Sequence, residues 1–178
     1  MGETAYRKET LMPYWITILL LVGLDQWSKL WTVAQFAPPA DGSICTADPA
    51  VTLIPSLVEL TRLHNYGAAW GSLAGMRLIL IAVSLAVLAA VALLWKKHRV
   101  RHPLGLWAMS LLFAGGLGNL IDRVRLGYVV DMFHLIFWQS YPVFNVADIC
   151  VVLGAILGAI YYLCLYDKYD APNQGERT

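Results

Sequence analysis

Residues 103–121 read PLGLWAMSLLFAGGLGNLI, a run without a single charge, closed by Asp122 and Arg123. A helix needs about 20 mostly apolar residues to cross about 30 Å of hydrocarbon, so this run reads as a membrane span. Working outward, the same test finds three more, at residues 13–36, 78–95 and 143–166; the first is interrupted by Asp25 and Lys29, the last by Asp148. Tyr14, Trp15, Trp31, Trp95, Trp107, Trp138, Tyr141 and Tyr166 flank these runs, as amphipathic rings favour the membrane interface. The expectation is a mainly α-helical polytopic membrane protein, one integral membrane domain over residues 1–178 with four transmembrane helices.

Composition agrees. The chain of 178 residues is 58% apolar and 14% charged, with a mean hydropathy of +0.58, whereas soluble domains are roughly 45–50% apolar and about 25% charged. A water-soluble globule and a disordered chain are both excluded. A net charge of +1 offers no basic face for nucleic acid. Cys45, Cys150 and Cys164 are too few and too scattered for a disulfide framework or a metal site, and no role is assigned to them. Arg7 and Lys8 precede the first run as they would in a signal peptide. That run is too long for such a segment and contains Asp25 and Lys29, so it reads as a true helix.

Four crossings place both termini on one side. Arg7, Lys8, Lys96, Lys97, Arg99, Arg101, Lys168 and Arg177 lie on that side, against Arg62, Arg77, Arg123 and Arg125 on the other. Basic residues concentrate in the cytoplasm, so the termini are expected there. Residues 37–77, opened by Pro38 and Pro39, are then extracytoplasmic. A weak alternation over residues 58–63 predicts a short strand or two.

A charge inside the bilayer costs from about 2.5 to over 10 kcal/mol, so each ionisable group there needs a reason. All of them converge on the extracytoplasmic leaflet. Asp25 and Lys29, four residues apart, read as a self-neutralising ion pair. Asn119, Asp122 and Arg123 share a helix face, with Asp122 expected to pair with Arg123. Asp131, in the loop between helices three and four, and Asp148, sixth in the fourth run and about 8 Å below its end at 1.5 Å per residue, have no Lys or Arg within four positions. Two acids held together share a proton near neutral pH, giving a general base and a general acid in one place. That chemistry is aspartyl peptide hydrolysis.

Other readings of the polar groups are weaker. Gly115, Gly116, Gly118, Gly154 and Gly158 are read as helix-packing positions. His64, His98, His102 and His134 are single or in a basic loop, so no metal and no cofactor is expected. HExxH, GxSG and GxGD motifs are absent from the sequence. A proton-coupled transporter would continue the polar path through the inner leaflet, which helices two and four do not; a scaffold would tolerate Asp131→Asn.

DQWSK (25–29), NYGAAW (65–70), GGLGNLIDR (115–123), VVD (129–131) and FNVAD (144–148) resemble, in order, the characteristic boxes of bacterial lipoprotein signal peptidase (signal peptidase II). The resemblance implies a four-helix aspartyl endopeptidase of the bacterial inner membrane, with a small extracytoplasmic β-cradle between helices one and two; a monomer is expected. The implied substrate is a diacylglyceryl-modified prolipoprotein, cut on the amino side of its lipidated lipobox cysteine, with membrane lipid around it. It further implies Asp131 and Asp148 as the catalytic dyad. Asn65, Asn119, Arg123 and Asn145 would orient the dyad or contact substrate, and Asp25, Lys29 and Asp122 would support it. Trp70 and Met132 stand where the family often has Phe, a difference expected to alter pocket shape.

Overall fold

The computed structural model describes residues 2–38, 45–97 and 100–171. Of the residues named above, Pro39, His98, Arg99 and Arg177, and the side chains of Arg7, Lys8 and Cys45, lie outside that description. The chain runs α1 (Gly2–Gln35), β1 (Cys45–Ile54), β2 (Val58–Asn65), a 3-10 turn (Ala69–Gly71), α2 (Arg77–Lys96), α3 (Pro103–Arg125), β3 (Val129–Leu135), α4 (Val146–Cys164) and a short α5 (Tyr166–Tyr169).

α2, α3 and α4 are long and apolar enough to cross a membrane, with mean hydropathies of 2.9, 1.6 and 2.1 over their most apolar stretches. Helix boundaries differ from the apolar runs because hydrocarbon length and hydrogen-bonded length are different quantities. α1 begins well before residue 13 and continues through Pro13. α3 runs past residue 121 to Arg125, placing Arg123 and Arg125 in its last turn, where cations suit the helix dipole. α4 starts at Val146 rather than at 143, since Asn145 caps it.

α3 is the central helix, packed against α1, α2 and α4. Small residues make this possible. A Cβ on Gly115 would collide with the Ala147 carbonyl of α4, and one on Gly154 would come within 2.9 Å of the Leu112 main-chain nitrogen. Toward the Trp95 end of the bundle the helices close over Tyr14, Ile18, Val91, Trp95, Leu106, Met109 and Ala114. Their outward faces remain apolar and exposed, as at Leu19, Leu20 and Leu24 on α1 and Ile156, Ile160 and Leu163 on α4.

The antiparallel sheet has the order β1-β2-β3. β2 covers the strand expected over 58–63, but β3 comes from the stretch read as a loop between the third and fourth helices. The sheet is therefore not confined to the segment between helices one and two. β3 escaped the alternation test because its first four residues, Val129 to Met132, are all buried, and a strand buried on both faces shows no period of two. Arginines from the sheet and from α2 cap the C-termini of neighbouring helices. Arg62 on β2 donates to the carbonyls of Val33 (3.2 Å) and Phe36 (2.8 Å) at the end of α1. Arg77 does the same for Arg123 and Val124 of α3, both at 2.8 Å.

Candidate active site

Asp131 and Asp148 reach one cavity from different elements. Asp131 lies mid-strand in β3. Asp148 is the third residue of α4, in its first turn rather than deep in the helix, because the helix starts at Val146. Asn145 and Asp148 form a capping box: the Asn145 side-chain oxygen accepts the Asp148 N–H at 2.9 Å, and Asp148 Oδ2 accepts the Asn145 N–H at 3.1 Å. The motif satisfies two otherwise orphaned donors at the helix N-terminus, and it fixes the Asp148 carboxylate.

Every hydrogen bond recorded to these two side chains comes from an amide. Asn65 Nδ2 donates to Asp131 Oδ2 at 3.0 Å, Asn145 Nδ2 to Asp131 Oδ1 at 2.7 Å, and Asn119 Nδ2 to Asp148 Oδ1 at 2.8 Å. Neither forms an ion pair among the described residues. Asp131 is 1% exposed. Burial first, and the facing Asp148 carboxylate second, push the Asp131 carboxyl up to about 7, against the pull of the Asn65 and Asn145 donors and of Lys29. Burial destabilises an isolated charge, so the pair holds a proton at neutral pH.

The cavity has a volume of about 490 Å3, with Asn65, Asn119, Arg123, Asp131 and Asp148 at one end. From there it descends between α2, α3 and α4 past Val83, Val87, Leu112, Gly116, Val151 and Val152. It is an apolar groove with a polar head. Trp70 overhangs that head with φ of 53° and its ring set edge-on to Tyr141 at 6.0 Å. Met132, in contrast, turns away from the cavity toward α1, its sulfur 3.5 Å from Thr32 Oγ1. Of the two departures from the family pattern, only Trp70 lines the pocket.

Asp25, Lys29, Asp122 and Asn145 are buried behind the cavity wall, at 1%, 3%, 2% and 0% exposure. Asp25 and Lys29 form the expected pair at 2.9 Å. Asp122 does not pair with Arg123. Its partner is Lys29, at 3.1 Å across the helix interface, because Asp122 points into the α1–α3 contact while Arg123 follows the opposite face to the Gly67 carbonyl (3.0 Å) and the cavity. Arg123 Nε is buried there with no hydrogen-bond partner among the described residues.

Gln26, which is not among the residues expected to support the dyad, bridges Asp25, Asp122 and the Gly118 carbonyl through its amide at 3.0–3.2 Å. An amide beside a charge inside an apolar run was the available signal. Among the described residues no three His, Cys, Asp or Glu side chains gather as metal ligands would. Two carboxyls sharing one proton at the head of an apolar groove can activate a water and polarise a carbonyl.

The Signal peptidase (SPase) II family matches residues 17–164. The chain is 40% identical over 157 residues to the lipoprotein signal peptidase of Clostridium acetobutylicum, covering 86% of this chain and 96% of that one. It is 40% identical over 159 residues to that of Clostridioides difficile, covering 88% and 99%. A bacterial membrane enzyme solved by the in meso method superposes with a TM-score of 0.73 at 31% identity, covering 92% of this chain and 94% of that one.

Proposed function

The chain belongs to the signal peptidase II family, and from that premise we propose that Asp131 and Asp148 are the catalytic dyad with which it cleaves diacylglyceryl-modified prolipoproteins. The protein is an aspartic peptidase that removes signal peptides from prolipoproteins. The observation that carries the dyad is its environment: two carboxylates held by amides alone, at the polar head of an apolar groove.

The chemistry follows from one shared proton. The ionised aspartate takes a proton from water as the oxygen attacks the scissile carbonyl carbon, and the protonated aspartate gives its proton to the carbonyl oxygen. The tetrahedral diol then collapses: one hydroxyl returns its proton to a carboxylate, the other carboxyl protonates the amine, and the C–N bond breaks. Products are the signal peptide's new carboxylate and a free amino group on the lipidated cysteine. Asn65, Asn119 and Asn145 orient the carboxylates, and Arg123, with a free buried N–H, donates to a substrate carbonyl.

The protein sits in the bacterial inner membrane with four spans, α1 being the fourth. Its outward face, exposed and apolar at Met12, Ile16, Leu19, Leu20, Leu24, Trp27 and Leu30, supports this, while Asp25 and Lys29 turn inward. With the basic residues counted above, both termini are cytoplasmic and the dyad is at the extracytoplasmic leaflet. A substrate anchored by one helix and two acyl chains presents its scissile bond at that depth, acyl chains lying in the groove or in lipid. The enzyme works as a monomer.

The direct test maps the cleavage site on a diacylglyceryl-cysteine lipobox peptide beside its unlipidated counterpart. Cutting only the lipidated peptide, on the amino side of its cysteine, is the expected result. Equal cutting of both would remove the lipid from substrate recognition.

A further inference from the structure

Asp25 on α1 and Asp122 on α3 do not line the cavity, yet each holds the main-chain N–H of the residue directly before a dyad aspartate. Asp25 Oδ1 accepts from Ala147 at 2.9 Å, and Asp122 Oδ2 accepts from Val130 at 3.1 Å. Lys29 joins the two, its Nζ lying 2.9 Å from Asp25 Oδ2 and 3.1 Å from Asp122 Oδ2. Its third bond, 3.0 Å, goes to Asn119 Oδ1. An ammonium has three donors, and all three are used. With its oxygen facing Lys29 and the Asn145 amide, Asn119 can only turn its NH2 toward Asp148, where the 2.8 Å bond is found.

We propose that Lys29 is a positioning residue for peptide cleavage: by tying Asp25 to Asp122 it sets the spacing of the backbone at Ala147 and Val130, hence of the two aspartates, and it locks the Asn119 amide on Asp148. The inference rests on the dyad reading above. Three helices and a strand meet around this one ammonium. α1 brings Asp25 and Gln26, α3 brings Asn119 and Asp122, and α4 and β3 bring the two held N–H groups. The charged groups around Lys29 are Asp25 and Asp122, with Asp131 and Asp148 beyond Asn119 and Asn145; Arg123 turns away to Gly67. Without its ammonium the cluster leaves two carboxylates behind the dyad, each unfavourable to further ionisation.

The test measures kcat, KM and the pH profile per folded molecule of the full chain in detergent, on the diacylglyceryl-cysteine peptide. Wild type, Lys29→Met, Asp25→Asn and Asp122→Asn are compared, with Asp131→Asn as the inactive reference. Displacement of reacting groups by about 1 Å costs on the order of 100-fold, so Lys29→Met is expected to lose about that in kcat with KM within about 3-fold. Its pH profile moves to higher pH, because a lost cation raises carboxylate pKa values. Each Asn variant loses part of the same kcat. A purely structural Lys29 lowers the folded fraction alone: folded Lys29→Met with wild-type kcat and profile overturns the proposal. Should Lys29→Met not be recovered folded, the two Asn variants, which keep side-chain volume, decide by the same criterion. Failure of wild type to cleave removes the dyad reading instead, so the two failures are distinct.

Discussion

The side-chain amide of Asn145 donates a 2.7 Å hydrogen bond to Oδ1 of Asp131. The same residue caps α4 and exchanges two bonds with Asp148, so a single asparagine spans the dyad. Its two duties separate by substitution. Asn145→Ala loses both, and cap loss alone costs about 0.5–2 kcal/mol. Asn145→Ser restores a good cap but cannot reach Asp131 as the amide does. Thermal melts are expected to recover in Asn145→Ser while turnover stays low. Equal recovery of both would confine Asn145 to helix capping.

Asp131 makes the folded state bind a proton that the unfolded chain releases. Its folded carboxyl is pushed up to about 7, against about 3.9 for an unfolded Asp. Between those values the native state holds more protons, so this residue's contribution to stability falls as pH rises and levels off above about 7. Asp131→Asn removes that dependence. Melting temperatures of wild type and variant should therefore diverge in the variant's favour from pH 4 to 8. A pH-independent difference would contradict the raised value.

The Lys29–Asp122 contact at 3.1 Å replaces the Asp122–Arg123 pair that sequence spacing suggests. Double-mutant cycles distinguish them. Contacting residues couple by about 0.5–3 kcal/mol, and independent sites add within about 0.5 kcal/mol. The cycle on Lys29 and Asp122 should fall in the first range, and that on Arg123 and Asp122 should give the smaller coupling. The reverse order would restore the spacing argument.

Gly118 faces the Asp25 carboxylate. A Cβ there would lie 2.6 Å from Asp25 Oδ2 and 3.1 Å from its Cγ, whereas one on Gly158 meets the Ala108 Cβ at 3.8 Å. Overpacking of this kind costs about 1–3 kcal/mol. Gly118→Ala is expected to lower the melting temperature and turnover together, with Gly158→Ala close to wild type in both. A tolerated Gly118→Ala would show that α1 and α3 can part without harm.

How much of this was readable in the chain depended on the range of the interaction. Apolar runs gave α2, α3 and α4 because membrane length is a local property, and Asp25–Lys29 was visible as an i,i+4 pair. Asp131 and Asp148 stood out through the lack of a Lys or Arg nearby in sequence. β3 was missed since its partner β2 is far away in the chain and burial on both faces erases alternation. Asp122 went to the wrong cation for the same reason: Arg123 is adjacent in sequence, but Lys29 is adjacent in space. The two main-chain N–H groups held by Asp25 and Asp122 leave no pattern in one sequence, because they depend on how α1, β3 and α4 dock; Gln26 shows there as an amide beside a charge, without its partners across the helix interface.

The central claim is that Asp131 and Asp148 share the chemistry. Its most direct test is turnover of the diacylglyceryl-cysteine lipobox peptide by purified wild type, Asp131→Asn and Asp148→Asn, each verified as folded by thermal melting in the same detergent. Cleavage by wild type and loss of at least about 1000-fold in both variants is the result expected when each acid supplies a proton-transfer role, such roles contributing about 100- to 10,000-fold. Near-wild-type turnover in either folded variant would contradict it.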